Sequence, residues 1–266
     1  MDQKKAKLIA LDIDGTIIDK EYDVPLHPDV REAVAEARAA GVKVCLCSAR
    51  PCYFMDDATD GLGEIDALIG CNGATIETDG KLIYKETLPL PLLLACLDTA
   101  KRLDVYLSFA GDEKIYVCIR GPVAVPLELG DRFVTLGDED TARLLREQDL
   151  ASSFIFTKEP MARDAVFTGP GFELADIHKS SGHSFTVTNK GTNKGTGLAR
   201  LAAHWGIPLE QALAVGNDGN DIPMLEAAGT GVAVANASPE VIAAAEYIVP
   251  SVSEGGAAEA IRRFAL

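Results

Sequence analysis

Short apolar runs that each stop at a polar block limit the fold of this chain more than any other feature. Leu8-Ile9-Ala10-Leu11 runs into Asp12-Ile13-Asp14-Gly15-Thr16, Val42 to Cys47 into Ser48-Ala49-Arg50, and Ala67 to Gly70 into Cys71-Asn72-Gly73. Far downstream, Ala212 to Val215 runs into Gly216-Asn217-Asp218-Gly219-Asn220-Asp221. Runs of this kind, without polar alternation, fit strands covered on both faces. Between them lie helical stripes. Val30, Ala33, Val34 and Ala37 follow Pro28 and Asp29 and stop at Gly41, while Leu198, Leu201, Ala202 and Trp205 stop at Gly206. Gly231 to Val234 and Tyr247 to Val249 read as two more strands. The alternation predicts an α/β fold on a mostly parallel sheet, with the polar blocks at the carboxyl edge where such sheets bind ligands.

The middle of the chain has a different rhythm. A helix is predicted from Leu90 to Leu103, then short strands at Val105 to Phe109, Lys114 to Ile119, Phe154 to Thr157 and Ser184 to Thr188. Residues 83–188 therefore read as an α+β insertion, which splits a core of residues 1–82 and 189–266. A chain of 266 residues, 47% hydrophobic and 24% charged, is long enough for one large domain and a smaller one. A formal charge of -15 argues against nucleic acid or an anionic membrane as a partner, because the long-range field repels both. An anionic substrate must then be drawn in by local positive charge or a metal. The six cysteines, at 45, 47, 52, 71, 96 and 118, lack zinc-site spacing and read as reduced core thiols. The start, Met-Asp-Gln-Lys-Lys, shows no signal region, and no run is long enough to span a bilayer, so the expected compartment is the cytoplasm.

Two carboxylates held two residues apart where a strand ends can divide the labour. One attacks as a nucleophile while the other moves protons. The plainer reading of Asp12 and Asp14 is an acidic turn, since Asp-Gly is ordinary turn chemistry. A calcium loop counted from Asp12 fails, because Ile17 falls where a Gly is needed and Asp23 where a bidentate Glu belongs. Ser48 could be a strand-end hydroxyl, Arg50 a surface charge, Asn72 a turn former and Asp218 a solvated turn residue. Lys194 sits near a helix start, where a cation is mildly disfavoured by the dipole. His27, His178, His183 and His204 fall outside every block. Together, Asp12, Asp14, Ser48, Lys194 and the Asn217 to Asp221 cluster supply what phosphoryl transfer needs: a nucleophile, a proton donor, donors for phosphate oxygens and oxygen ligands for Mg²⁺.

On these blocks the chain closely resembles the haloacid dehalogenase-like superfamily, specifically the Cof-type class IIB phosphatases. Asp12 to Thr16 matches the family's Asp-x-Asp-Gly-Thr, Ser48-Ala49-Arg50 its Ser/Thr-Gly-Arg, Lys194 its lysine, and Gly216 to Asp221 its Gly-Asp-x-x-Asn-Asp. Asn72-Gly73-Ala74, Asn236-Ala237 and Glu254-Gly255 are further family-like stretches. The resemblance implies a doubly wound, Rossmann-like core with an inserted cap acting as a lid. It implies Asp12 as nucleophile, Asp14 as acid and base, and catalytic Lys194. Mg²⁺ would be held by Asp12, the Asp14 backbone carbonyl, Asn217 and Asp221. Thr16, Ser48, Ala49, Arg50 and Asn220 would bind substrate, with Arg50 near the phosphate or the leaving group. The implied substrates are small phosphorylated metabolites, sugar phosphates above all, turned over by a monomer or small homo-oligomer. Two positions depart from the pattern: Ala49 replaces a Gly, and Asn217 replaces a metal-binding Asp. The alternatives are a phosphomannomutase-like phosphotransferase, a receiver-like signalling domain and a non-catalytic phosphate binder.

Overall fold

The computed structural model describes residues 5–18, 25–121, 130–147, 149–179 and 183–266. Residues 1–4 and Asp23, the last position of the calcium-loop count, lie outside them. In chain order the strands are β1 (Leu8–Leu11), β2 (Lys43–Cys47), β3 (Ala67–Gly70), β4 (Thr75–Thr78), β5 (Lys81–Lys85), β6 (Tyr106–Ala110), β7 (Ile115–Ile119), β8 (Phe133–Thr135), β9 (Ser152–Phe156), β10 (Ala175–Lys179), β11 (Ser184–Asn189), β12 (Ala212–Gly216), β13 (Thr230–Val234) and β14 (Tyr247–Val249). The helices are α1 (Pro28–Ala39), α2 (Asp56–Leu62), α3 (Leu90–Leu103), α4 (Asp138–Glu147), α5 (Arg163–Val166), α6 (Lys194–His204), α7 (Ile222–Ala227), α8 (Pro239–Ala244) and α9 (Gly256–Phe264). They form two compact units, Met1–Tyr84 with Asn193–Leu266, and Lys85–Thr192.

The first unit is an α/β layer built on an eight-stranded sheet in the order β14-β13-β12-β1-β2-β3-β4-β5. Every residue of β1 is fully buried, which is why its sequence is apolar without alternation. Pairing from β14 to β3 is parallel, and Leu11 lies opposite both Val215 and Leu46, so the carboxyl ends of β1, β2 and β12 are level. The chain leaves β1 for β2 on one side and returns only much later to β12 on the other. That reversal is a topological switch point, the place where open α/β sheets bind ligands. Helix α1 buries Val30, Ala33, Val34 and Ala37, the stripe read from the sequence. The antiparallel β3–β4 pair and the β4–β5 hairpin were not foreseen, although Asp79-Gly80, both at positive φ, carries the expected signal for a two-residue hairpin turn.

The second unit has a six-stranded sheet in the order β10-β11-β9-β6-β7-β8, antiparallel except for β7 with β8. Leu92, Leu93, Cys96 and Ala100 of α3 join Phe109, Ile155, Phe185 and Val187 in a hydrophobic cluster separate from that of the first unit. No described helix is long and apolar enough to cross a membrane.

Candidate active site

Asp12 continues β1 by one residue, its N–H donating to the Val215 carbonyl at 3.0 Å. The chain then turns at Gly15, whose φ of +85° suits a residue without Cβ. A Cβ there would also collide with the Asn217 carboxamide. Asn236 fixes the turn, donating from Nδ2 to the Gly15 carbonyl and accepting the Val252 N–H, both at 2.8 Å. Thr16 Oγ1 lies 3.0 Å from Asp12 Oδ2 and 2.8 Å from the Asn217 side chain.

Lys194 enters from the start of α6. Asn193 caps that helix: Oδ1 accepts the Thr196 N–H at 3.0 Å, and the Asn193 N–H donates to Thr196 Oγ1 at 3.1 Å. The helix start packs tightly, because a Cβ on Gly73 would overlap the Asn193 carbonyl and one on Gly195 the Pro223 carbonyl. Lys194 Nζ, on a side chain only 1% exposed, donates to Asp12 Oδ1 at 2.6 Å and to Asp221 Oδ1 at 2.5 Å. The other Asp221 oxygen accepts the N–H groups of Asn217 at 2.8 Å and Asp218 at 3.0 Å, which shapes the loop after β12.

Two carboxylates thus share one buried ammonium. Burial, then the charge on Asp221, push the Asp12 carboxyl up to about 7 against the pull of Lys194. Burial draws the Lys194 ammonium down, but Asp12 and Asp221 outweigh it and hold the group above its ordinary range. The cluster is therefore short of positive charge, and its donors (carboxylate, backbone carbonyl and amide oxygens) are the hard ligands that Mg²⁺ prefers. The residues present fit such an ion.

Asp14 faces outward, its side chain half-exposed. Arg50 grips it with a two-toothed fork, Nε donating to Oδ2 at 2.7 Å and Nη2 to Oδ1, while Nη1 donates to the Phe54 carbonyl at 3.2 Å. The residue pattern alone did not foretell this pairing. Ser48, fully buried at the end of β2, has its N–H on the Ile69 carbonyl at 2.9 Å, and its Oγ accepts the Arg50 N–H at 3.2 Å. Ala49 is half-buried in the bend beside it.

The family described as haloacid dehalogenase-like hydrolase matches residues 9–261 of this chain. The chain belongs to that family. Among curated relatives, the putative phosphatase YxeH of Bacillus subtilis is 28% identical over an alignment of 270 positions that covers 98% of each chain. A phosphoglycolate phosphatase of Methanothermobacter thermautotrophicus is 29% identical, over 97% of this chain and 98% of that one. Among solved structures, the HAD subclass IIB sugar phosphatase BT4131 is 27% identical with a TM-score of 0.86, covering 97% of this chain and 98% of its own. This member of the haloacid dehalogenase-like hydrolases is thus an enzyme, a phosphatase with the α/β fold of subclass IIB.

Within this phosphatase, Asp12, Thr16, Lys194, Asn217 and Asp221 form one connected cluster, and Asp14 with Arg50 stands beside it. Asn220 donates to Asn72 Oδ1 at 2.9 Å. Asn72 itself is fully buried, sits in the left-handed region at φ +53°, and leaves its Nδ2 without a partner among the described residues. The sequence offers Asn72 both as a turn former and within a family-like stretch, without setting it among the site residues. The signal that could have promoted it is its place at the end of β3, matching that of Ser48 at the end of β2. Asp218 turns away to accept the Gly219 N–H at 2.8 Å, and burial raises its carboxyl. His27 accepts the Asp29 N–H at the start of α1, and His204 lies in the last turn of α6.

Proposed function

We propose that this phosphatase hydrolyses small phosphorylated metabolites, sugar phosphates foremost, in the cytoplasm, with Asp12 as the nucleophile and Mg²⁺ as cofactor. The observation that carries the reading is the placement of Asp12 Oδ1 on Lys194, with the Asp14 carboxyl two residues away on a fixed turn. Asp12 would attack phosphorus in line, forming an acyl-phosphate bond as the bond to the leaving oxygen breaks. Asp14 gives that oxygen a proton, then takes one from the water that cleaves the acyl phosphate. Mg²⁺, for which Asp12, the Asp14 carbonyl, Asn217 and Asp221 offer oxygens, would supply charge that offsets the repulsion between carboxylate and phosphate dianion. Lys194 contributes charge of the same sign from the buried side. Thr16, Ser48 and Asn220, with the buried Asn72 Nδ2 that lacks a partner among the described residues, would be donors for phosphate oxygens. Arg50 positions Asp14 through both carboxylate oxygens, and one arm of that fork must open for Asp14 to carry the proton it gives.

The substrate class rests on the sugar-phosphatase description of the BT4131 structure, which covers 97% of this chain. We further assign leaving-group selectivity to the unit Lys85–Thr192. The test is phosphate release from sugar phosphates, phosphoglycolate and nucleotides, with and without Mg²⁺, by wild type, Asp12→Asn and Asp14→Asn. Asp12→Asn should fall to background, a loss of about 10⁴-fold or more, as expected for removing a covalent nucleophile. Equal release by wild type and Asp12→Asn would sink the assignment. Mutase turnover that rises when a bisphosphorylated sugar is added, without phosphate release, would point instead to a phosphotransferase.

A further inference from the structure

Asn217 stands where the family pattern usually carries an acidic metal ligand, and its surroundings give the substitution a purpose. The inward-facing atom of its carboxamide lies 2.9 Å from the Asp14 carbonyl oxygen, 3.0 Å from Asp12 Oδ2 and 2.8 Å from Thr16 Oγ1. A backbone carbonyl and a carboxylate oxygen are acceptors. An amide oxygen turned toward them meets two acceptors at hydrogen-bond distance, whereas the amide nitrogen can donate to both. Hydrogen bonding therefore places Nδ2 inward when nothing else lies between these groups. A cation reverses the preference. Positions about 3 Å apart match the spacing of neighbouring oxygens around an octahedral Mg²⁺ with ligands at about 2.1 Å. With the ion bound, the amide must present Oδ1 instead.

We propose that Asn217 is a two-state element: Nδ2 bridges Asp12 and the Asp14 carbonyl in the metal-free protein, and a half-turn of the amide delivers Oδ1 to Mg²⁺. Nothing else needs to move. The Asn217 carbonyl accepts the Ser238 N–H at 3.0 Å and its N–H donates to Asp221 Oδ2 at 2.8 Å, whichever way the amide points. Gly15, lacking a Cβ, leaves room beside the rotating group. An Asp here has two acceptor oxygens and no donor. Without metal it would set a second carboxylate against Asp12 and the Asp14 carbonyl. Asn217 thus keeps the metal-free site assembled while weakening its hold on the ion. The inference rests on reading these residues as magnesium donors and is independent of the substrate.

The test uses the full chain, ¹⁵N-labelled, with MgCl₂ and no phosphoester. The Asn217 side-chain NH₂ signal, assigned by its loss in Asn217→Asp, should shift and exchange faster with water as Mg²⁺ saturates. Asn217→Asp should melt about 3–8 °C lower without metal, the size expected when a buried acceptor loses its donor. Its calorimetric Kd for Mg²⁺ should tighten about tenfold or more, since ligand charge sets affinity. Asn217→Ala should lose metal-free stability and Mg²⁺ affinity together. An NH₂ signal indifferent to saturating Mg²⁺, or an Asn217→Asp protein as stable as wild type without metal, overturns the proposal. Should that variant not fold, the wild-type titration decides, with the signal assigned from Asn217→Ala. A responsive amide in a protein inactive on every phosphoester sinks only the hydrolase reading, and an indifferent amide in an active enzyme sinks only the two-state element.

Discussion

Arg50 and Asp14 show how one side chain can be given two jobs by two kinds of reading. The family resemblance implies Arg50 near phosphate or leaving group, whereas its guanidinium grips Asp14 through both carboxylate oxygens. The two roles leave different kinetic marks. An arginine that binds substrate raises KM when lost, while one that orients the acid lowers kcat and spares KM. We expect Arg50→Ala to lower kcat about 10- to 100-fold, the usual range for losing general acid–base function, with KM changed little. Arg50→Lys should recover only part of this loss, because an ammonium keeps the charge but not the planar fork. Steady-state kinetics on the best substrate from the release screen would decide it, and a KM effect larger than the kcat effect would return Arg50 to the substrate. The gathering of Asp12, Lys194 and Asp221 was legible because each ends or opens an element whose position the strand pattern fixes. The Arg50–Asp14 fork was not, since it depends on side-chain directions across two bends.

Elements with an uninterrupted apolar run or a long stripe were easy to read. Strands β3 and β14 and helix α3 match the residue pattern end for end. Helices α7 and α8, six residues each, are too short for periodicity to show, and their starting prolines read equally well as turns. Helix α4 is mostly charged and buries only Thr141, Leu144 and Leu145, too narrow a stripe to stand out. Junctions between elements depend on long-range polar contacts, and Asp66 is the clearest. Just before β3, it accepts from Lys43 Nζ at 2.8 Å, the Val44 N–H at 3.0 Å and Arg38 Nε at 3.1 Å, tying α1 and β2 to β3. Burial pushes its carboxyl up, but those three hydrogen bonds outweigh it and leave it below its ordinary 3.8. A carboxyl lowered by folding contributes stability that is present above its unfolded value and lost as pH falls through the folded one. Asp66→Asn should therefore be less stable than wild type at pH 7, with the gap closing as pH drops below about 4. Urea midpoints across that range would check it, and a gap that stays constant would remove the ionised carboxylate from the explanation.

At the scale of the whole molecule, the two units have separate hydrophobic clusters. Each owns its core. Replacing Lys85–Thr192 by a Gly/Ser linker should leave a chain that still melts cooperatively, with a smaller denaturant m-value because less surface is exposed on unfolding. A broad, non-cooperative melt would show that the first unit depends on the second. The switch point between β2 and β12 also sets an order of events during synthesis. Strand β1 emerges from the ribosome early, acquires β2 as a neighbour within a few seconds, and then waits with its other edge bare while the entire second unit is made. Only when residues 212–216 arrive does that edge close. For that interval an apolar strand with unpaired backbone groups is open to the wrong partner, which makes the nascent chain, rather than the finished enzyme, the stage most exposed to misassembly and to chaperone capture.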